Sequence, residues 1–127
     1  MDGIERTVLV VDDEKTFARR LAMAFEEAGY RATAVHDGHA AMAALEGGMP
    51  DLVVLDVRMP GMDGVECLRA LHARRGAGSP PVILLTGDTS PRVDAAALVY
   101  PGSIVLSKPC SYDDVVVMAG RLLAAPA

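Results

Sequence analysis

The stretch Asp51 to Gly64, DLVVLDVRMPGMDG, decides the fold. Leu52 to Leu55 is a run of branched apolar residues that reads as a strand buried on both faces, and it stops at Asp56. Pro60 and Gly61 cannot extend that strand. Asp63, followed three residues later by Glu66, has the spacing of a capping box and predicts a helix from about Asp63 to Arg75, with Val65, Leu68 and Leu71 facing inward. Asp56 therefore lies on the lip of a strand-to-helix loop, where open parallel sheets take their ligands.

On either side of this unit the chain alternates strand and helix. Thr7 to Val11 is a β-branched run ending in Asp12, Asp13 and Glu14, after which Phe17, Leu21, Phe25 and Ala28 recur at helical spacing until Gly29. Arg31 to Val35 is a weaker strand. Asp37 can cap a helix with Ala40, Ala41, Ala44 and Leu45 on one face, closed by Gly47 and Gly48. Past Arg75, Pro81 to Thr86 is a fourth apolar run, and Ser90 with Pro91 supplies a cap and a first-turn proline for a short helix from roughly Arg92 to Val99. Ser103 to Ser107 is a fifth strand, and Ser111 opens a last helix carrying Val115, Met118 and Leu122, with Ala124 to Ala127 expected to fray. Five strands, each followed by a helix, predict an α/β domain: a parallel, doubly wound sheet with five helices on its two faces.

The 127 residues suit one domain, and a composition 51% hydrophobic but 4% aromatic calls for a core of Val, Leu, Ile, Ala and Met. A net charge of -5 argues against direct nucleic-acid binding, which needs clustered Lys and Arg; Arg69, Arg74 and Arg75 read as a solvated helix flank. No apolar run approaches the ~18 residues that cross a bilayer, so no membrane association is expected. Cys67 and Cys110 lack metal or redox spacing, which with no secretory leader predicts reduced thiols and a cytoplasmic location.

The carboxyl ends of the first, third, fourth and fifth strands carry Asp12 and Asp13, Asp56, Thr86 and Lys108. In a parallel sheet these ends share one edge. Three neighbouring carboxylates repel, and a hard divalent cation relieves that repulsion; Mg²⁺, which takes oxygen ligands and pairs with phosphates, suits so sparse a set. An aspartate ionised near neutral pH can attack phosphorus, with Lys108 and Thr86 placed to stabilise the charge on the transferring group. Taken singly, each residue has a plainer reading: Asp12 and Asp13 as helix caps, Asp56 as a turn former, Thr86 as a strand end, Lys108 as a solvated charge.

Four fragments, VVDDE at Val10 to Glu14, LDVRMPGMDG at Leu55 to Gly64, VILLTGD at Val82 to Asp88 and SKP at Ser107 to Pro109, together resemble the receiver domain of two-component response regulators over essentially the whole chain. The resemblance implies the flavodoxin-like strand order 2-1-3-4-5. It implies that Asp56 is the phosphoacceptor, Asp13 a direct Mg²⁺ ligand, Asp12 a ligand through water, and the Arg58 backbone carbonyl a further ligand. Lys108 then pairs with phosphate and the Thr86 hydroxyl moves to it. The bond before Pro109 is typically cis in this family, the alternative being an ordinary trans turn proline. The implied partners are a histidine kinase or histidine phosphotransfer protein and a downstream protein target met by the fourth helix, fifth strand and fifth helix. The protein is then a monomer or a phosphorylation-dependent dimer, with no enzymatic activity beyond its own phosphorylation and dephosphorylation.

Several positions depart from the pattern or qualify it. Val105 occupies the place where many receivers carry an aromatic switch, so signalling is expected without a ring flip. Arg58 and Asp88 flank the phosphoryl position and could pair across its mouth, restricting the attacking water. An aspartyl phosphatase of the haloacid dehalogenase type needs a second acid where this chain has Arg58. His36, His39 and His72 read as surface residues, Tyr100 and Tyr112 as surface or partner contacts, and Cys110 as packing. The length and Met1 suggest a receiver standing alone over residues 1–127 without an output domain. The alternatives are a receiver segment of a larger hybrid kinase or regulator, and an unphosphorylated scaffold.

Overall fold

A computed structural model describes residues 5–75, 78–87, 91–100 and 102–124. Ten elements alternate along the chain: β1 (Thr7–Val11), α1 (Lys15–Glu27), β2 (Arg31–Val35), α2 (Gly38–Gly47), β3 (Leu52–Asp56), α3 (Gly64–Arg75), β4 (Val82–Thr86), α4 (Pro91–Val99), β5 (Ser103–Ser107) and α5 (Tyr112–Ala124). All strand pairs are parallel, and the sheet runs β2-β1-β3-β4-β5, the flavodoxin-like order. Burial follows position in that order. The inner strands β3 and β4 are buried at every residue, whereas the edge strand β2 alternates between exposed and half-buried.

The period of two along each strand sorts the core into two layers. Leu9, Val11, Val53, Leu55, Val82 and Leu84 pack beneath α2, α3 and α4, against Leu45, Val65, Leu68, Leu71 and Val93. Their neighbours Val8, Val10, Leu52, Val54, Ile83 and Leu85 pack against Leu21 and Phe25 of α1 and Val115 and Ala119 of α5. The capping box at Asp63 forms in both directions, with the Asp63 N–H donating to Glu66 Oε1 at 3.0 Å and the Glu66 N–H to Asp63 Oδ1 at 2.9 Å. Asp37 Oδ1 caps α2 through the Ala40 N–H at 2.7 Å, and Ser111 Oγ caps α5 through the Asp114 N–H at 2.9 Å.

Helix faces differ in detail from the spacing. In α1 the buried residues are Ala18, Leu21 and Phe25, while Ala28 is the exposed C-cap. Small Ala18 lets the helix approach the sheet, a contact that hydropathy ranks below Phe17. In α2 the core residues are Ala41, Met42 and Leu45, and Ala40 is left out of that cluster. Glu14, not Asp12 or Asp13, is the N-cap of α1, and no side chain caps that helix. Ala124, expected to fray, is the last residue of α5, while the expected Ser90 cap and the fraying of residues 125–127 fall outside the described residues.

Candidate functional site

Strand register brings the polar residues together. Val11 lies opposite Leu55, so Asp12 follows β1 at the level where Asp56 ends β3. Thr86 lies opposite Ser107, and the Lys108 N–H continues that ladder to the Thr86 carbonyl at 2.7 Å. Asp12, Asp56 and Lys108 are in phase with the strand residues that face α1 and α5, whereas Thr86 is in phase with those that face α3 and α4.

Lys108 joins the carboxylates. Its Nζ lies 3.1 Å from Asp12 Oδ2, 3.4 Å from Asp56 Oδ1 and 3.8 Å from Glu14 Oε1. Phe17 sits under the ammonium, with Nζ 4.6 Å from the ring centroid. That contact assigns Phe17, expected in the α1 core, to the site's edge. Asp12 is 1% exposed and Asp56 6%, so both carboxylates are withdrawn from water, while Asp13 is exposed.

Burial pushes the Asp56 carboxyl up to about 6, with the charges of Asp12 and Asp13 adding to the rise and Lys108 opposing it through charge and hydrogen bond. For Lys108, burial alone would lower the ammonium pKa, but the charges and hydrogen bonds of Asp12 and Asp56 raise it overall. The lysine therefore stays charged. Neither thiol shows activation: burial raises Cys67 to about 11, and burial likewise raises Cys110, which packs against the layer under α1 and α5.

One oxygen from each of Asp12, Asp13 and Asp56 falls within a group spanning 4.8 Å. Three carboxylate oxygens so close, with no sulfur or imidazole among them, fit a hard cation that prefers oxygen. Beside them opens a cleft of about 540 Å³ lined by Asp13, Arg58, Asp63, Thr86, Arg92 and Val93 among others. Gly64 forms part of its support: a Cβ there would lie 2.5 Å from the Asp56 carbonyl oxygen and 2.9 Å from Val57 Cα, so α3 can start this close to β3 only with glycine.

The sequence profile of the response regulator receiver domain matches residues 8–119. The chain belongs to the response regulator receiver family. It is 38% identical over 122 residues to the probable transcriptional regulatory protein TcrX of Mycobacterium tuberculosis, covering 96% of this chain and 51% of that one. It is 34% identical over 117 residues to the sensory transduction protein RegX3 of the same organism, covering 92% and 50%. The receiver thus spans about half the length of these curated relatives. Among solved structures, the receiver domain of the Francisella response regulator 1452 has a TM-score of 0.83 at 30% identity, covering 94% of this chain and 97% of that one. The chemotaxis protein CheY4 of Vibrio cholerae has a TM-score of 0.85 at 26% identity, covering 94% and 99%.

As a receiver, the domain works in two-component, phosphorylation-dependent signalling. The Lys108-Pro109 bond is cis, as the resemblance implied. Val105 is half-buried against the layer under α3 and α4. The supposed Arg58–Asp88 pair falls outside the described residues at Asp88. Four surface expectations are corrected, for Tyr100, His72, Tyr112 and His36. Tyr100 stacks on His72 with centroids 4.6 Å apart, Tyr112 packs on Phe17 at 5.3 Å, and His36 is half-buried with Nδ1 3.2 Å from the Asp12 carbonyl oxygen. Each gains contacts from an element distant in sequence, which local hydropathy does not register. Among the described residues no helix is long and apolar enough to cross a membrane.

Proposed function

We propose that this receiver accepts a phosphoryl group on Asp56 from a phosphohistidine of a histidine kinase or phosphotransfer protein, and answers by changing its affinity for a protein target. The observation that carries the reading is the meeting of Asp56 with Asp12 and Asp13 within 4.8 Å, while Lys108 stands 3.4 Å from Asp56 Oδ1. Its location would be the cytoplasm, and its only chemistry that of its own modification.

Asp13 and Asp56 would hold Mg²⁺ directly with the Arg58 carbonyl, and Asp12 would do so through water. Bound there, the cation supplies positive charge that allows three carboxylates to stay ionised and offsets charge on the phosphoryl oxygens. One Asp56 carboxylate oxygen attacks phosphorus as the bond to the histidine nitrogen breaks. The electron pair of that bond returns to the imidazole, which takes up a proton from water. Lys108 is held between Asp12 and Asp56, already oriented toward the incoming charge. Thr86, from the other face of the sheet, offers its hydroxyl to a phosphoryl oxygen.

Incubation with a small phosphodonor and Mg²⁺, followed by intact-mass measurement, tests the assignment. Wild type should gain one phosphoryl group and Asp56→Asn none; equal labelling of the variant removes Asp56 from the role. The half-length coverage of TcrX and RegX3 supports a second reading of the setting, in which the same switch is the receiver half of a larger regulator. The mass of the native protein in its own cells separates the two.

A further inference from the structure

Arg92 and Asp63 come from different elements, the first turn of α4 and the cap of α3, yet Arg92 Nη2 lies 2.8 Å from Asp63 Oδ2. Both line the cleft that also holds Thr86, Asp13 and Arg58. Asp63 divides its work between two oxygens. Oδ1 accepts the Glu66 N–H, and Oδ2 faces Arg92, so the cap and the ion pair can be separated chemically. The Arg92 side chain is 47% exposed and the Asp63 side chain 23%, which leaves the pair screened by water and weak enough to exchange.

We propose that Arg92 senses the modification: Asp63 holds it while Asp56 is unmodified, and it trades that carboxylate for phosphoryl oxygens once Asp56 is phosphorylated, drawing the first turn of α4 over the cleft. This rests on the reading of Asp56 as the phosphoacceptor. A carboxylate carries one negative charge, whereas a phosphoryl group carries nearly two on three oxygens that match the guanidinium fork. Both partners border one cleft, so the trade takes place within it. The helix is also lightly anchored. Val93 and Ala96 are its buried residues, while Leu98 is 87% exposed and Val99 66%, so a pull on its first turn meets little resistance from packing. Arg92 is on this account a positioning residue, and Asp63 sets its resting place.

The test is titration of the full chain with beryllofluoride in Mg²⁺, a mimic of the phosphoryl group, followed by amide NMR. Arg92→Gln should bind about threefold more weakly and lose the α4 shifts while signals at the ends of β3 and β4 still respond; Arg92→Lys should recover part of both. Asp63→Asn keeps an oxygen for the cap but loses the charge that holds Arg92, and should bind about threefold more tightly. Added to Arg92→Gln, the same change should do nothing. An equal gain from Asp63→Asn in both backgrounds would mean general charge repulsion and overturn the proposal. So would weaker binding by Asp63→Asn, the behaviour of a static brace, or an Arg92→Gln variant indistinguishable from wild type. Wild type that binds no beryllofluoride overturns the Asp56 reading itself, and this inference with it.

Discussion

Replacing Asp56 with Asn should stabilise the metal-free protein at neutral pH. The carboxyl is raised from the ordinary 3.8 to about 6, chiefly by burial and the Asp12 charge, so the fold prefers it protonated. At about 1.4 kcal/mol for each tenfold change in equilibrium, ionising it in the native state costs about 3 kcal/mol. The sign follows from the direction of the rise. Below about 3.8 both states are protonated and Asp resembles Asn; between about 3.8 and about 6 the unfolded state ionises while the native state keeps its proton, so the penalty grows, and above about 6 both are ionised and it levels off. The gap between variant and wild type should therefore be about 3 kcal/mol near pH ~7.5 and about 1 kcal/mol near pH ~4.5. For a domain of this size the larger figure corresponds to about 10 °C in Tm. Urea denaturation with a chelator present, at both pH values, measures it, and millimolar Mg²⁺ should narrow the neutral-pH gap because only wild type regains a charged ligand. A gap that is absent at neutral pH, or equal at both, would refute the account of burial and Asp12 acting on Asp56.

Lys108→Met removes the group that opposes the Asp56 rise, so the midpoint should move above about 6 when followed by NMR of the Asp carboxyl carbons; an unchanged midpoint would show that the 3.4 Å contact carries no charge coupling. Gly64→Ala forces a methyl group against the Asp56 carbonyl and Val57 Cα, and should cost about 1–3 kcal/mol in urea denaturation while the α3 cap persists.

Much of the fold was legible because burial leaves periodic marks. The unbroken apolar runs at Leu52–Leu55 and Val82–Leu85 signal inner strands, and the reciprocal Asp63–Glu66 bonds match their three-residue spacing. Less legible were residues whose environment comes from elsewhere in the chain. Phe17 looks like a core residue of α1 but lies under Lys108, and Tyr100 looks like a surface or partner contact but stacks on His72. Ala18 is fully buried although alanine sits on either side of a helix with equal ease. Arg92 gave no signal, since a charged residue in a first turn reads as solvated until its partner is known.

By itself, the sequence determined the alternation of elements and the delivery of Asp12, Asp13, Asp56, Thr86 and Lys108 to strand ends, because strand and helix periods and their stop residues are local properties. Strand and helix periods do not say which of those ends are neighbours; the family resemblance implied it, and the tertiary structure decided the contacts themselves. Lys108 reaches Asp12 across 96 residues of chain, and Arg92 reaches Asp63 across 29. Such contacts depend on the order and register of the strands, which arise from packing two layers of helices onto one sheet and leave no periodic trace in any single segment.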